Sequence, residues 1–349
     1  MLVVTANWAL TDGSLAASRA RRAAAWLEVI RRAIVRAGMG RDGRYRPVAE
    51  ATLIMAGDTF DWLLSDVWTG PERPWHAGRR SAEARDRVAA ATIRAALPAV
   101  RIIRRWIRQG IPLPAADARG RPSAWASSCC RFSGVLLAGD RDRWLTDLAA
   151  AGDRVGLLLG EEWSDGIRHV RHGHDLDPLA HGRDSLPVGI DRPPTLAESL
   201  TIDLVVAFAA AVRDDVALWK ILRPRLGELS SAGPVGLPAG IAALVPEVTS
   251  IEAAIDLRTR LSDLWRRSVD RWHAIATRDM PTCEAEFDAL GDLAAWLGDR
   301  APLRPPPAAL ARLGVSLETI RGSTRHVVGH AAVDQAPAFS CHLADLSWQ

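Results

Sequence analysis

Lysine is almost missing from this chain: of its 44 basic residues only Lys220 is a lysine, and the other 43 are arginine. A GC-rich genome produces such a bias without any polyanion to recognise. The formal net charge of +3 over 349 residues is too small to mark a nucleic-acid-binding protein. Cysteine is sparse as well. Cys129, Cys130, Cys283 and Cys341 form no Cys-x-x-Cys pair and no regular framework, which excludes a zinc ribbon and a disulfide scaffold and makes a reducing cytosol the expected compartment. Long apolar runs are missing too. The longest, Leu204 to Val212, is closed by Asp203 and Arg213 and falls far short of the ~20 residues that span a bilayer. The first residues carry neither the basic start nor the apolar core of a signal peptide. The expectation is therefore a cytoplasmic protein with no integral membrane contact and no nucleic-acid partner.

What is present is a globular composition, 48% hydrophobic and 24% charged, in a chain longer than one modal domain. Its organising stretch is Leu53-Ile-Met-Ala-Gly-Asp-Thr-Phe-Asp61, an apolar run that stops at Gly57-Asp58 and is followed by a second carboxylate three residues on. Such a run suits a strand buried on both faces, and the C-terminal edge of a parallel sheet is where α/β folds bind ligands. Asp58 is thus a candidate metal ligand, although Gly-Asp on its own equally makes a turn or a helix cap. Ahead of it, Met1 to Ala6 reads as a first buried strand with Asn7 at its exit. Between the two, Ala24, Leu27, Ile30 and Ile34 recur at helical spacing, so the order is strand, helix, strand, and the sheet is parallel.

The same signature returns later. Ser133 to Gly139 is an apolar strand ending in Gly139-Asp140, with Asp142 close behind, which places a second carboxylate at the same edge. Val155 to Gly160 reads as a third strand of this kind. The alternation of Val170 and His172 then suggests a strand running into the turn His172-Gly-His174-Asp-Leu-Asp177, and neutral imidazoles beside carboxylates are a mixed donor set for Mn, Fe or Zn. From Ser81 to Gln109 an amphipathic helical region, broken near Pro98, carries Arg101, Arg104, Arg105 and Arg108. Two readings stay open there: a basic face for phosphates or a peripheral membrane contact, and a solvated face of a helix packed on the sheet. Residues 183–320 show helical periods and no strand signal, with Trp219, Trp265, Trp272 and Trp296 expected as packing residues. His326-Val-Val-Gly-His330 and Phe339 to Trp348 read as closing strands.

Taken together, Asn7-Trp8-Ala9, Gly57-Asp58-Thr-Phe-Asp61, Gly139-Asp140-Arg141-Asp142, His172-Gly173-His174 with Asp177-Pro178, and Gly329-His330-Ala331-Ala332 resemble the calcineurin-like metallophosphoesterases, in particular the branch containing UDP-2,3-diacylglucosamine hydrolases. The family's motifs are Asp-x-His, Gly-Asp-x-x-Asp, Gly-Asn-His-Asp or Glu, a lone His, and Gly-His-x-His, and their counterparts occur here in the same order. The resemblance implies an α/β fold, a four-layer α/β/β/α sandwich made of residues 1–182 and 321–349, with 183–320 as a helical insertion or cap. It also implies two metals bridged by an aspartate, which clamp a phosphoester and activate water for in-line attack.

One of the two implied pockets is stripped in this chain, because Asn7, Ala9, Asp58 and Ala332 stand where the family has Asp, His, Asp and His. The other keeps Asp58, Asp140, His172 and His330, so at most one Mn, Fe or Zn ion is expected, with Asn7 offering a weak amide oxygen. Arg141, Asp142 and His174 match the catalytic positions. Arg141 replaces a histidine, and a guanidinium grips phosphate well but is a poor general acid. Three functions follow: an impaired phosphoester or phosphoanhydride hydrolase with one metal, a pseudoenzyme that binds a phosphorylated small molecule or a partner protein, or a structural subunit that uses its helical stretch as an interface. Oligomeric state is left open.

Overall fold

The computed structural model describes residues 1–16, 19–145, 157–166, 168–173, 193–231, 233–244, 251–280 and 284–298. Strand β1 (Leu2–Thr5) leads through helix α1 (Ala20–Ala37) to β2 (Glu50–Ala56), and the two strands pair in parallel, Val3 beside Leu53. This is the expected βαβ unit. In α1 the positions Leu27, Ile30 and Ile34 are buried while the intervening arginines face outward, so one helical stripe covers the sheet. Helices α2 (Arg79–Ala95) and α3 (Leu97–Gln109) follow, divided at Ala96 with Pro98 in the first turn of α3. Proline lacks an amide hydrogen and is tolerated there, where no helical partner would exist.

Strands β3 (Ile111–Ala116) and β4 (Pro122–Leu137) form an antiparallel ribbon. The C-terminal half of β4 pairs in parallel with β2, Gly134 beside Leu53, and its last residues pair in parallel with β5 (Leu158–Gly160). The sheet therefore has four parallel strands and one antiparallel companion, and the class is mixed α/β. Strand β4 begins well before Ser133, and β3 contains Pro112 and Pro114. Prolines at alternate positions send any missing amide hydrogens to one side, which an edge strand can accommodate.

Both faces of the sheet are covered, and the two-residue period assigns the residues. Val3, Leu53, Met55 and Leu136 join one apolar cluster on the helical face. Their neighbours Ile54, Ala56, Val135 and Leu137 pack on the other face against Val170 and Trp163 of the hairpin β6 (Glu162–Ser164) and β7 (His169–Arg171).

Residues 193–298 are helical wherever an element is assigned among the described residues. A continuous run comprises α4 (Leu196–Ser199), a π-helical turn (Leu200–Val206) and α5 (Ala207–Arg213). It is followed by α6 (Val216–Leu222), α7 (Leu226–Ser231), α8 (Gly233–Ala242), α9 (Ile251–Asp279) and α10 (Glu284–Gly298). Trp265 and Trp272 are buried, and Trp219 and Trp296 pack partly buried against the same core. Trp272 donates to the Ser199 hydroxyl at 3.0 Å and Trp265 to the Leu297 carbonyl at 2.7 Å, which satisfies both indole hydrogens. Phe208 and Trp265 share one apolar cluster with Leu53 and Met55 of the sheet. Among the described residues no helix is long and apolar enough to cross a membrane.

One buried ion pair locks the helical run to the sheet half. The Arg73 Nε donates to Asp203 Oδ1 at 2.8 Å, with Asp203 inside the π-helical turn, while Arg73 Nη1 donates to the carbonyls of Trp68, Gly70 and Glu72. Removing one partner strands the other charge in the core. Arg73→Ala should therefore lower stability by about 3 kcal/mol, seen as a lower denaturant midpoint at unchanged slope. A loss below about 0.5 kcal/mol would mean that apolar contacts alone dock the run.

Candidate metal centre

The centre is built where four strands end, with its donors supplied by the exits of β2, β4 and β7. Strands β1 and β2 leave the sheet side by side: Asn7 N–H donates to the Gly57 carbonyl at 3.2 Å, Ala9 N–H to Asp58 at 3.0 Å, and Leu10 N–H to Thr59 at 3.0 Å. Asn7, Ala9 and Asp58 all hold positive φ, at 56°, 46° and 49°, and they are the only non-glycine residues among those described to do so. Each such residue costs on the order of 1–3 kcal/mol and persists only where its surroundings over-determine it, a pattern that clusters at functional sites. Phe60, Trp62 and Trp144, on the residues that follow Asp58 and Asp142, stack on one another with Trp68 edge-on to Trp144.

From β4, Gly139 and Asp140 reach the same place. Arg141 N–H donates to Asp58 Oδ1 at 3.0 Å. Strand β7 brings His172, which is buried like Asp58 and Asp140. The imidazole Nδ1 lies 2.8 Å from the Ala56 carbonyl, which can only accept, so Nδ1 carries a proton. That contact turns Nε2 toward the carboxylates, 3.0 Å from Asp140 Oδ1 and 3.5 Å from Asp58 Oδ2. Two ligands about 2.1 Å from a common ion at angles of about 90–110° would stand about 3.0–3.4 Å apart, so these spacings fit a shared centre. One donor atom from each of Asp58, Asp140 and His172 lies within 4.8 Å of the others, and this buried trio could hold a metal ion. A histidine that gives its second ring hydrogen to a backbone carbonyl is the usual outer support of a metal ligand.

Two glycines make the approach close enough. A Cβ on Gly57, whose φ is +83°, would strike the His172 ring, and one on Gly139 would strike the Asp58 carboxylate. The Asn7 Oδ1 is buried with no hydrogen-bond partner among the described residues, an oxygen whose lone pairs are unused.

Asp142 and Arg141 turn inward. Asp142 accepts from Gly139 N–H at 2.6 Å and from Phe60 N–H at 3.1 Å, so both oxygens are spent clasping the β2 and β4 loops together. Its structural place is that of a positioning residue. The Arg141 Nη1 donates to Asp61 Oδ2 at 2.9 Å, Nη2 donates to the Ser230 carbonyl of α7, and Nε lies 3.9 Å from Asp58 Oδ2. The guanidinium is thus engaged by protein groups, where sequence had it gripping phosphate. His174 and His330 lie outside the described residues. Asp61 and Ser230, which sequence reasoning gave no role, prove to be partners of Arg141. For Asp61 the three-residue spacing from Asp58 was a usable signal, whereas nothing near Ser230 pointed to it.

Charge shapes the proton inventory. Burial pulls the His172 imidazolium down, but the Asp58 charge and the hydrogen bonds to Asp140 and Asp58 outweigh burial and hold its pKa well above the ordinary histidine value. Burial, aided by the Asp58 charge, pushes the Asp142 carboxyl up to about 7 against the pull of its two amides. Burial likewise raises Asp61 against the pull of Arg141.

Comparisons with protein-family models, with curated proteins and with solved structures each returned no match to this chain.

Two tests follow from this geometry. Gly57→Ala should displace His172 and weaken Mn²⁺ binding by about tenfold or more, the scale of losing a supported ligand geometry. Unchanged binding would show that His172 is not a ligand. The second test uses pH. His172 and Asp142 both bind their protons more tightly in the folded state, so their contribution is present at low pH and lost as pH rises, from about 4 to about 7 for Asp142 and above about 6.5 for His172. Metal-free protein should melt at a lower temperature at about pH 7.5 than at about pH 5.5, and Mn²⁺ should narrow that gap because it replaces the proton on His172. A metal-free melting temperature that rises over this interval contradicts the assigned protonation.

Proposed function

We propose that the chain is a metallophosphoesterase-like protein, a four-layer α/β/β/α sandwich with a helical insertion, whose centre takes one divalent ion of the Mn, Fe or Zn type. The observation that carries the reading is the convergence of Asp58, Asp140 and His172, from three strand exits, with His172 fixed through Nδ1 by the Ala56 carbonyl. Helices on one sheet face and the β6–β7 hairpin on the other are compatible with this architecture. His330 is the expected fourth donor and Asn7 an auxiliary one. The substrate class is a phosphorylated small molecule, with no nucleic acid involved.

An ion held there would supply charge neutralisation and Lewis-acid polarisation to a phosphoester. The chain's own residues then set the limits. Asp58 presents Oδ2 to the centre while Oδ1 is held by the Arg141 amide, so its orientation is fixed before anything binds. Ala9 offers no donor. The donors of Arg141 are engaged by Asp61 and Ser230, so Arg141 is a poor acid for a departing alkoxide, and slow hydrolysis is the expectation. That same inward guanidinium favours a second reading, in which a phosphorylated ligand or a partner protein is bound without turnover.

The test combines metal analysis with hydrolysis of an activated phosphodiester. Purified protein should carry about one Mn²⁺ per chain and turn over slowly in a chelator-sensitive way, and Asp58→Asn and His172→Ala should each abolish both properties. One ion with no turnover selects the binding reading. Folded protein that takes up no ion, or activity that survives His172→Ala, overturns the proposal.

A further inference from the structure

The geometry points to Arg141 as a built-in second cation: its guanidinium occupies the ground between Asp58 and Asp61 and thereby holds the centre to a single metal ion. This inference rests on the metal-centre reading above and says why one ion suffices.

The first ground is electrostatic. Asp58, Asp61, Asp140 and Asp142 are all buried within two short loops that touch one another. Ionised carboxylates cannot stay in a low-dielectric interior without cations beside them. Asp142 has both oxygens taken by backbone amides, Oδ1 by Gly139 and Oδ2 by Phe60. As carboxylates, Asp58, Asp61 and Asp140 would bring three negative charges to be met by cations. One guanidinium and one divalent ion, with His172 neutral, bring the total to zero; a second divalent ion would leave an excess of two positive charges in a buried place.

The second ground is positional. The guanidinium spans both carboxylates, with Nη1 2.9 Å from Asp61 Oδ2 and Nε 3.9 Å from Asp58 Oδ2, and its side chain is only 14% exposed. The second carboxylate oxygen of the bridged Asp61, Oδ1, is buried with no hydrogen-bond partner among the described residues, as is Asn7 Oδ1 at the β1 exit. Oxygens with unused lone pairs are what an ion would find if the guanidinium left. Arg141 is also anchored from outside the sheet, because Nη2 donates to the Ser230 carbonyl and Nη1 lies 3.4 Å from the Ser230 hydroxyl, both on α7. The helical segment thus holds the internal cation in place. A backbone carbonyl cannot be removed by changing a side chain, so the anchor depends on how α7 packs.

The test is metal binding, independent of turnover, by calorimetry and elemental analysis with Mn²⁺ alone. Wild type should bind about one ion, and Arg141→Gln, which keeps length and polarity but removes charge, should bind a second ion or bind the first at least about tenfold more tightly. Arg141→Lys should behave like wild type, since a point charge suffices for neutralisation. Folded Arg141→Gln protein with wild-type stoichiometry and affinity overturns the inference. Should Arg141→Gln fail to fold, Asp61→Asn decides: with one anion fewer the centre holds excess positive charge, so Mn²⁺ affinity should fall at least about fivefold, and unchanged affinity overturns the inference. Wild type without metal but Arg141→Gln with metal would support the inference while removing the single-metal hydrolase; no metal in either would remove both.

Discussion

Repulsion among buried carboxylates at the exits of β2 and β4 is the constraint on which the rest of this site depends. Asp58 and Asp140 face His172, Asp61 faces Arg141, and Asp142 is neutralised in part by burial and clasped by two amides. Each negative group has its own answer. The answers are linked, because Asp58 touches both the imidazole and the arginine, and the Arg141 amide fixes the orientation of Asp58. The positive φ values of Asn7, Ala9 and Asp58 belong to the same economy of space: the backbone turns sharply so that side chains from different strands can meet.

The helical segment takes part in this arrangement. Ser230 holds Arg141, Arg73 ties Asp203 to the sheet half, and a shared apolar core runs from Met55 to Trp272. The Asp58 and Asp61 carboxylates and the packing of α7 are therefore physically connected through one guanidinium. A π-helical turn, which carries Asp203, interrupts the α-helical pattern of this run, and such turns are frequent at functional sites.

Much of this was legible in the sequence, for reasons specific to each element. The buried run before Gly57-Asp58 and its repetition before Gly139-Asp140 identified two parallel strands, because burial on both faces removes polar residues from them. Pro98 marked the break between α2 and α3. The helical periods read over residues 183–320 correspond to helices wherever an element is assigned in the described stretch 193–298. Other features stayed hidden because no local pattern encodes them. Strand β3 carries two prolines, and the outer half of β4 is polar and exposed, with neither an apolar run nor clean alternation. The inward turn of Arg141 depends on Asp61 and on Ser230, the latter 89 residues away in sequence. Asp142 reads as one more acid until its two amide donors are seen.

Anomalous diffraction from Mn²⁺-soaked crystals tests the central claim most directly. One peak about 2.0–2.2 Å from Asp58, Asp140 and His172, with Arg141 still between Asp58 and Asp61, is the predicted result. Two peaks of comparable height, or no peak within reach of His172 Nε2, would contradict it.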